Sequence, residues 1–344
     1  MERRFFVTAA LLAVGLVANA VAGDTPYRIA ARLAPGGDGG WDYLTVDAPS
    51  HRLFVSRATR VQVVDLTTGK LVGEIPGTEG VHGIALAPEF AVGFTSNGRG
   101  NSVTVFDLAT LQVSGTIKLE AKNPDAILYD PASKRVFTFN GGSHDATAID
   151  AKTRAVVGTI PLAGKPEFAV SDGKGKIFVN IEDKGSIAKL DAGTLKVEAT
   201  WPIAPCEEPS GLAIDAAHRR LFSVCGNKLM AVVDADNGHV VTTLPIGGGV
   251  DGAAFDAAKG LAFSSNGAGT VTVVREETPE KFSVISDIPT QRGARTIALD
   301  PTTHRLYLPT AGFGPPPSPS PDNPRGRPPI LPGSFVVLVL EPAM

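Results

Sequence analysis

The sequence predicts an all-β protein, a seven-bladed β-propeller built from four-stranded blades. Residues 82–119 show the unit: four short runs typical of β-strands, separated by turn-rich segments. The unit occurs seven times, and the residues that close its first strand are Asp47, Ala87, Asp130, Asp172, Asp215, Asp256 and Asp300. Successive steps of 40 to 44 residues match the length of one propeller blade.

A second set of residues, mostly acidic, closes the third strand of each unit and keeps the same period until the last repeat. Its members are Asp65, Asp107, Asp150, Asp191, Asp234, Arg275 and Glu341. Because aspartate readily accepts hydrogen bonds from the backbone of a turn, we expect turns after these strands. Residues 234–238 also resemble a calcium loop, but Gly238 comes one place early for an EF-hand, so the turn is favoured.

Residues 1–22 are predicted to be a secretory signal peptide. Two arginines precede an apolar run over residues 5–17, and two A-x-A cleavage sites lie between residues 18 and 22. A retained membrane anchor is the alternative, but the run is shorter than the roughly 20 residues that a span needs. We therefore expect a periplasmic protein whose mature chain, residues 23–344, is a single domain without a membrane span.

The charge of the mature chain argues against a nucleic-acid partner. Removal of the signal peptide leaves 30 basic and 34 acidic residues, a net charge of −4 with histidines neutral. No segment forms the basic stripe that a phosphate backbone requires. A composition of 43% hydrophobic residues with 38 glycines and 27 prolines is typical of one large all-β domain.

The seventh repeat contains three strands, over residues 296–299, 305–309 and 335–340. An incomplete blade would leave open sheet edges with unpaired backbone groups. Residues 27–33 form an extended run that belongs to no complete repeat. We predict that this run supplies the missing strand and closes the propeller; the alternative is a frayed N-terminal tail.

Each blade carries a polar residue at one mouth of the central channel. We call this end the upper face; it holds the start of each first strand and the loop between the second and third strands. The position five residues before each first-strand anchor holds Asp42, His82, Asp125, Glu167, Ser210, Asp251 and Arg295. Such a ring can bind a divalent cation or orient a small polar ligand. The alternative is a water-lined channel.

The metal ligands predicted within this ring are Asp42, His82, Asp125, Glu167 and Asp251. Oxygen ligands with one imidazole suit calcium, magnesium, manganese or zinc without distinguishing them. Acids gathered on one axis repel one another, which raises some of their pKa values or demands a counter-charge. Arg295 neutralises part of that charge.

Asparagines near the ends of the second strands are further ligand candidates. They are Asn97, Asn140, Asn180 and Asn266. Asn97, Asn140 and Asn266 precede glycine, and Asn-Gly is also the commonest sequence of a tight hairpin turn.

Three other histidines precede arginine and a hydrophobic strand. His51, His218 and His304 occur in SHRLF, AHRRLF and THRLY. We interpret them as equivalent residues of the first turn of their blades, where a repeated residue serves the fold.

The two cysteines, Cys206 and Cys225, precede and end neighbouring strands of the fifth blade. In an exported protein we expect them to form a disulfide; two free thiols are the alternative.

A proline-rich insertion over residues 312–333 separates the second and third strands of the seventh blade. So many prolines cannot pair in a sheet, and we expect a polyproline-like loop on the upper face. It can cover the channel mouth as a lid, dock a partner, or remain a disordered loop.

Several motifs carry a resemblance to a known family, among them SNGRGNSVTVFDLAT, DPASKRVFTFNGG and SSNGAGTVTVV. They are similar to those of the YVTN-repeat, YncE-like secreted bacterial β-propellers, over about residue 41 to the C-terminus. The resemblance implies a seven-bladed periplasmic propeller. More distantly, the sequence is similar to propeller lactonases and to propeller subunits of quinoprotein amine dehydrogenases.

The sequence therefore predicts a periplasmic binding or scaffold protein whose partner is a small polar ligand or another protein. No catalytic residue is assigned, because the sequence contains no G-x-S-x-G, H-E-x-x-H, C-x-x-C or P-loop motif. A divalent cation is the one cofactor considered. The alternatives are a lactonase-like or metal-dependent hydrolase that uses the polar ring, and a propeller subunit that supports a redox partner.

Overall fold

The computed structural model describes Met1, residues 26–320 and residues 328–343. The strands of these ranges form seven antiparallel sheets of four strands each, which confirms the predicted seven-bladed propeller. Residues 2–22 of the predicted signal peptide lie outside the described residues. Within the described ranges, no helix has the length and hydrophobicity needed to cross a membrane.

Each of the first six blades uses four consecutive strands. Blades 1 to 3 consist of β2 (Leu44–Asp47), β3 (Arg52–Arg57), β4 (Arg60–Asp65) and β5 (Leu71–Pro76); β6 (Val81–Ala87), β7 (Val92–Asn97), β8 (Ser102–Asp107) and β9 (Val113–Lys118); and β10 (Pro124–Asp130), β11 (Arg135–Asn140), β12 (Asp145–Asp150) and β13 (Val156–Pro161). Blades 4 to 6 consist of β14 (Pro166–Ser171), β15 (Lys176–Ile181), β16 (Ser186–Asp191) and β17 (Lys196–Pro202); β18 (Pro209–Asp215), β19 (Arg220–Cys225), β20 (Leu229–Asp234) and β21 (Val240–Pro245); and β22 (Val250–Asp256), β23 (Leu261–Asn266), β24 (Thr270–Thr278) and β25 (Lys281–Pro289). Two short 3-10 helices, Pro88–Phe90 and Glu182–Lys184, follow β6 and β15.

The seventh blade joins the two ends of the chain. It contains β26 (Ala298–Asp300), β27 (Arg305–Thr310), β28 (Val336–Pro342) and, as its outermost strand, β1 (Tyr27–Leu33). Strands β1 and β28 are antiparallel, in a register that runs from Tyr27 opposite Pro342 to Leu33 opposite Val337. The predicted closure by an N-terminal strand is therefore confirmed.

The hydrophobic core lies between neighbouring blades. Each of seven apolar clusters joins two adjacent blades, and Tyr43 of blade 1 adds to the cluster between blades 3 and 4. The third residue of every second strand contributes a buried aromatic ring to these layers: Phe54, Phe94, Phe137, Phe178, Phe222, Phe263 and Tyr307. Because aromatic rings bury a large apolar area per residue, this repeat contributes much of the packing between neighbouring blades.

The acidic residues that close the third strands organise turns, as predicted. Asp65 Oδ1 accepts hydrogen bonds from the backbone N–H groups of Thr67 and Thr68, at 3.0 and 2.7 Å. Asp234 Oδ1 accepts equivalent bonds from Asp236 and Asn237, at 2.8 and 3.3 Å. These contacts give the calcium-like segment a structural role in its turn.

The first turns of the blades correct one equivalence drawn from the sequence. In several blades the residue directly before the second strand has a left-handed backbone. His51, Lys134, Arg219 and His304 are such residues, with φ between 54° and 58°. In blade 5 this place belongs to Arg219, and His218 lies one residue earlier. The interpretation of three equivalent histidines is therefore wrong for His218, because the doubled arginine of AHRRLF shifts the motif by one.

Cys206 and Cys225 are joined as a disulfide, with their Cα atoms 5.5 Å apart. The bond ties the segment before β18 to the end of β19, and both residues are buried.

Candidate functional site

The predicted ring surrounds one cavity on the upper face. A space of about 430 Å³ is lined by five of the ring residues, namely Asp42, Asp125, Glu167, Asp251 and Arg295. His82 and Ser210 contact these residues from the neighbouring positions. The ring side chains therefore converge around a common space.

Side chains of the second strands fix the backbone of the ring from one blade to the next. The Ser96 hydroxyl donates to the carbonyl of Asp125, and the Ser265 hydroxyl donates to the carbonyl of Arg295. Asn180 Nδ2 donates to the carbonyl of Ser210 at 2.7 Å. Asn180 occupies the same strand position as the two serines, one residue before the end of its strand. Asn180 therefore holds the backbone of the ring in place. The sequence had instead suggested that it lies at the strand end as a ligand candidate.

One side of the ring has the geometry of a metal site. His82 Nδ1 lies 2.6 Å from Asp42 Oδ2 and 3.6 Å from Asp125 Oδ1. One donor atom from each of these three residues lies within 4.8 Å of the other two. The side chains of Asp42 and Asp125 are only 15% and 13% exposed. A small cation can therefore reach all three donors after shifts that side-chain rotations supply.

Arg295 neutralises the opposite side, as predicted. Its Nε lies 2.8 Å from Asp251 Oδ2, and its Nη2 lies 3.4 Å from Asp42 Oδ1. Ser210 Oγ donates to Asp251 Oδ1 at 2.9 Å. Both oxygens of Asp251 are therefore paired, whereas Asp42 is shared between Arg295 and His82, and Asp125 has His82 as its nearest basic neighbour.

Sequence reasoning missed two charged residues of the cavity, Lys165 and Glu182. Lys165 Nζ lies 3.0 Å from Glu167 Oε2 and also forms an ion pair with Glu182. Glu182 follows the second strand of blade 4 directly, where the other blades have only glycine or alanine: Ala58, Gly98, Gly141, Gly226, Gly267 and Ala311. That departure from the repeat is the signal that identifies Glu182.

One aromatic ring, that of Tyr43, lines the cavity, and a second packs against it. Tyr43 and Phe168, from blades 1 and 4, meet across the channel with ring centroids 5.1 Å apart in an edge-to-face contact. Tyr43 is buried and lines the cavity directly beside the acids. Tyr43 therefore gives the polar cavity one aromatic wall, which Phe168 supports.

The pKa values of the ring reflect burial of like charges. Burial lowers the pKa of His82, but the hydrogen bond to Asp42 and the charge of Asp125 outweigh it and raise the pKa to about 9. Burial raises the pKa of Asp125 to about 6, against the opposing charge of His82. Burial and the charge of Asp125 raise the pKa of Glu167 to about 8, although Lys165 opposes this shift. The cavity thus holds more carboxylates than its own cations stabilise.

Asn97 and Asn266 do not reach the ring. Both are fully buried within their hairpins. Asn97 Nδ2 donates to Thr104 Oγ1 at 2.9 Å, and its Oδ1 accepts from Thr95. Asn266 makes the matching contacts with Ser264 and Thr272. Because their amides are satisfied inside the blade, these residues are part of the fold and leave the set of ligand candidates.

The proline-rich insertion packs at its base beside the ring. Residues 321–327 lie outside the described part of the chain. The beginning and the end of the insertion meet where Phe313 forms an antiparallel bridge with Ile330. The centroid of the Phe313 ring lies 6.1 Å from that of Trp41. A second cavity of about 410 Å³ lies between Trp41, Phe313, Ile330, Arg292 and Arg295. Arg295 lines both cavities, so the insertion forms a wall next to the ring.

No protein-family model matches the sequence, and no curated protein matches it. Solved structures do resemble the fold. A chain of hydrazine synthase from Kuenenia stuttgartiensis matches with a TM-score of 0.71 at 18% identity, over 79% of this chain and 93% of that chain. The WD40 repeats of RRP9 match with a TM-score of 0.75 at 8% identity, and U3-55K with 0.74 at 9%; each match covers 92% of this chain and 98% of the other. At these identities the likeness shows the seven-bladed propeller alone.

Proposed function

We propose that this propeller is a binding protein whose upper face holds a divalent cation through Asp42, His82 and Asp125. The observation that carries the proposal is the convergence of one donor atom from each residue within 4.8 Å, beside a cavity that Asp42 and Asp125 line. A propeller fold is suited to a binding or scaffold role because its blades present loops from many segments at one channel mouth.

The charge of the cavity supports a cation. Five carboxylates, those of Asp42, Asp125, Glu167, Glu182 and Asp251, share the space with three basic groups, those of His82, Lys165 and Arg295. Because burial penalises this excess of negative charge, a divalent cation stabilises the ionised carboxylates. The imidazole donor favours manganese or zinc over magnesium and calcium.

The neighbouring cavity favours an organic ligand beside the cation. Trp41 and Phe313 supply aromatic walls, and the exposed Arg292 supplies a positive charge. A ligand with an apolar part and an acidic group therefore fits next to the ring. This arrangement also supports the second candidate function, a lactonase-like or other metal-dependent hydrolase, in which the cation polarises a carbonyl oxygen.

We further propose that the chain is exported to the periplasm and belongs with the YVTN-repeat, YncE-like propellers. The charged and apolar pattern of residues 1–22 supports export, and so does the disulfide between Cys206 and Cys225. The repeat motifs and the seven-bladed fold support the family assignment. Intact-mass measurement of the exported protein checks whether residues 1–22 are removed.

The double variant Asp42→Asn/Asp125→Asn should bind one Mn²⁺ fewer than the wild-type protein. The neutral amides keep the shape of the carboxylates but lose the charge that holds the cation. In the wild-type protein, Mn²⁺ at about 100 times its dissociation constant should stabilise the fold by about 3 kcal/mol. Titration calorimetry of chelator-treated protein gives the number of bound ions, and thermal unfolding gives the stabilisation.

Glu120→Gln is the matched control, because Glu120 is an exposed carboxylate outside the cavity. This variant should bind Mn²⁺ like the wild-type protein. Equal ion numbers in the wild-type protein and the double variant would contradict the proposed ring site.

The free energy of unfolding of the metal-free protein should decrease as the pH rises from about 5 to about 9. The folded-state pKa of Glu167 is raised from 4.5 to about 8, and that of His82 from 6.5 to about 9. At a pH between the ordinary and the raised pKa of each group, the folded chain binds more protons than the unfolded chain. A rise in pH removes these protons and therefore destabilises the fold. A change of a few kcal/mol is expected, because each pKa unit corresponds to about 1.4 kcal/mol.

Urea denaturation at a series of pH values measures this dependence. Glu167→Gln should flatten the lower part of the profile, since the amide does not titrate. Stability that rises with pH over this range in the wild-type protein would show that the pKa shifts have the wrong sign.

A further inference from the structure

A second cluster of donor atoms lies on the lower face, opposite the ring. His218 Nδ1 lies 2.7 Å from Asp215 Oδ2 and 2.9 Å from Glu276 Oε1. One donor atom from each of these three residues lies within 4.8 Å of the other two. Asp215 ends the first strand of blade 5, and Glu276 belongs to the long hairpin of blade 6, so the cluster bridges two blades.

Glu276 occupies a position that is otherwise uncharged. It directly follows the residue that closes the third strand, where the other six blades have Leu66, Leu108, Ala151, Ala192, Ala235 and Pro342. The Glu276 side chain is only 3% exposed; its one ion-pair contact is with His218, and neither carboxylate oxygen accepts a hydrogen bond of good geometry. A buried carboxylate is costly unless its charge is balanced, and Glu276 shares its one basic neighbour, His218, with Asp215, so the two acids lack a second positive charge.

Neighbouring blades show what normally supplies that charge. The left-handed residue before the second strand reaches back to the aspartate of the preceding blade: Arg219 Nη1 lies 2.8 Å from Asp172 Oδ2, and His304 Nδ1 lies 2.7 Å from Asp256 Oδ2. In blade 6 this place is Gly260, with φ 60° and no side chain. Asp215 therefore has no cationic residue from the next blade.

The junction between blades 5 and 6 thus lacks one cation and contains one extra carboxylate. His218 lies between the two acids and contacts both with the same nitrogen. The nearby Arg220 is committed elsewhere, since its Nε donates to the Pro279 carbonyl at 2.7 Å and its Nη1 lies 3.1 Å from Asp234. No other basic side chain of the described residues is within ion-pair distance of Glu276.

We propose that Asp215, His218 and Glu276 form a second site, which binds a divalent transition-metal cation such as zinc at the junction of blades 5 and 6. Two carboxylate oxygens and one imidazole nitrogen are a donor set that zinc accepts. Asp215 Oδ1 already accepts backbone N–H groups of its turn, so Oδ2 is the oxygen that faces the cation. The His218 side chain is 55% exposed, which leaves a fourth coordination position open to water.

The cation would replace the cationic residue that blades 5 and 7 use. Its two positive charges balance the two carboxylates, and it fastens the outer part of the blade 6 hairpin to blade 5. The site is structural in this respect, because its ligands come from two different blades and each ligand is held by its own turn or strand.

Zinc binding to the full chain, after removal of metals with a chelator, tests the proposal. Glu276→Leu installs the residue that blades 1 and 2 have at this position, so the variant should fold and should be more heat-stable than the metal-free wild-type protein. It should bind one zinc fewer, and the zinc-dependent rise in melting temperature should decrease accordingly. The exposed position of His218 makes His218→Ala a second variant that keeps the fold, and its zinc affinity should fall at least tenfold.

The ring variant Asp42→Asn/Asp125→Asn separates this site from the one on the upper face. With cobalt in place of zinc, the ring variant should keep a visible absorption band from the lower site, and adding Glu276→Leu should abolish that band. If Glu276→Leu and His218→Ala bind as many zinc ions as the wild-type protein with the same affinity, the lower site is refuted. If the ring variant binds as many ions as the wild-type protein while Glu276→Leu loses one, the lower site stands and the ring site fails.

Discussion

Deletion of residues 27–33 is expected to unfold the propeller at temperatures at which the full chain remains folded. Strand β1 pairs with β28 from Tyr27 to Leu33, so its loss exposes an unpaired edge on the seventh blade. Tyr27 is 1% exposed and packs edge-to-face on Phe263, with ring centroids 5.2 Å apart. Removal of such an aromatic side chain alone costs about 3–5 kcal/mol, and the deletion should cost more.

Three point variants identify which part of β1 matters. Tyr27→Ala should produce much of the loss, whereas Tyr27→Phe should be neutral or stabilising, because the Tyr27 hydroxyl is buried without a hydrogen-bond partner. Arg28→Ala removes an exposed ion pair with Glu341 and should cost less than about 1 kcal/mol. Thermal unfolding followed by circular dichroism measures all four. A deletion variant with the wild-type melting temperature would show that β1 does not close the fold.

Removal of the disulfide is expected to lower the free energy of unfolding by about 3 kcal/mol, the value for a closed loop of this size. Cys206 and Cys225 are 19 residues apart, and their bond restricts the unfolded chain. The double variant Cys206→Ala/Cys225→Ala should therefore unfold at lower urea concentration than the oxidised wild-type protein.

Reductant provides the control for this prediction. It should shift the urea midpoint of the wild-type protein towards that of the double variant and should leave the variant unchanged. A wild-type midpoint that does not respond to reductant, with two thiols that can be alkylated in the unfolded chain, would show that the bond does not form.

Repeats made most of the fold predictable. The constant spacing of Asp47, Asp130 and their equivalents aligned the blades, and the absence of a fourth strand in the last repeat identified β1 as its replacement. The same spacing predicted the ring, because the residue five places before the end of each first strand lies at the same level of the channel in every blade. Seven polar residues at one offset therefore met around one cavity.

Errors came from single-residue offsets and from residues that depart from the repeat. Side chains alternate between the faces of a strand, so Asn180, one place from the strand end, serves the backbone of the ring instead of its mouth. Because blade 5 has two arginines, Arg219 and Arg220, His218 lies one residue earlier than the histidines of the other blades. The repeat does not predict Glu182 and Glu276, because both are charges at places that the other blades keep small or uncharged.

The closure of the seventh blade also brings the described chain ends together. The backbone N–H of Ala343 donates to the carbonyl of Pro26 at 2.9 Å. A linker of a few residues can therefore join these two positions, and new termini can be opened in an exposed turn between two other blades. In such a circular permutant the blade that combines both ends of the chain becomes continuous, and the seam moves to another blade. The order in which the blades are synthesised thus becomes a variable that can be changed without altering the contacts of the folded ring.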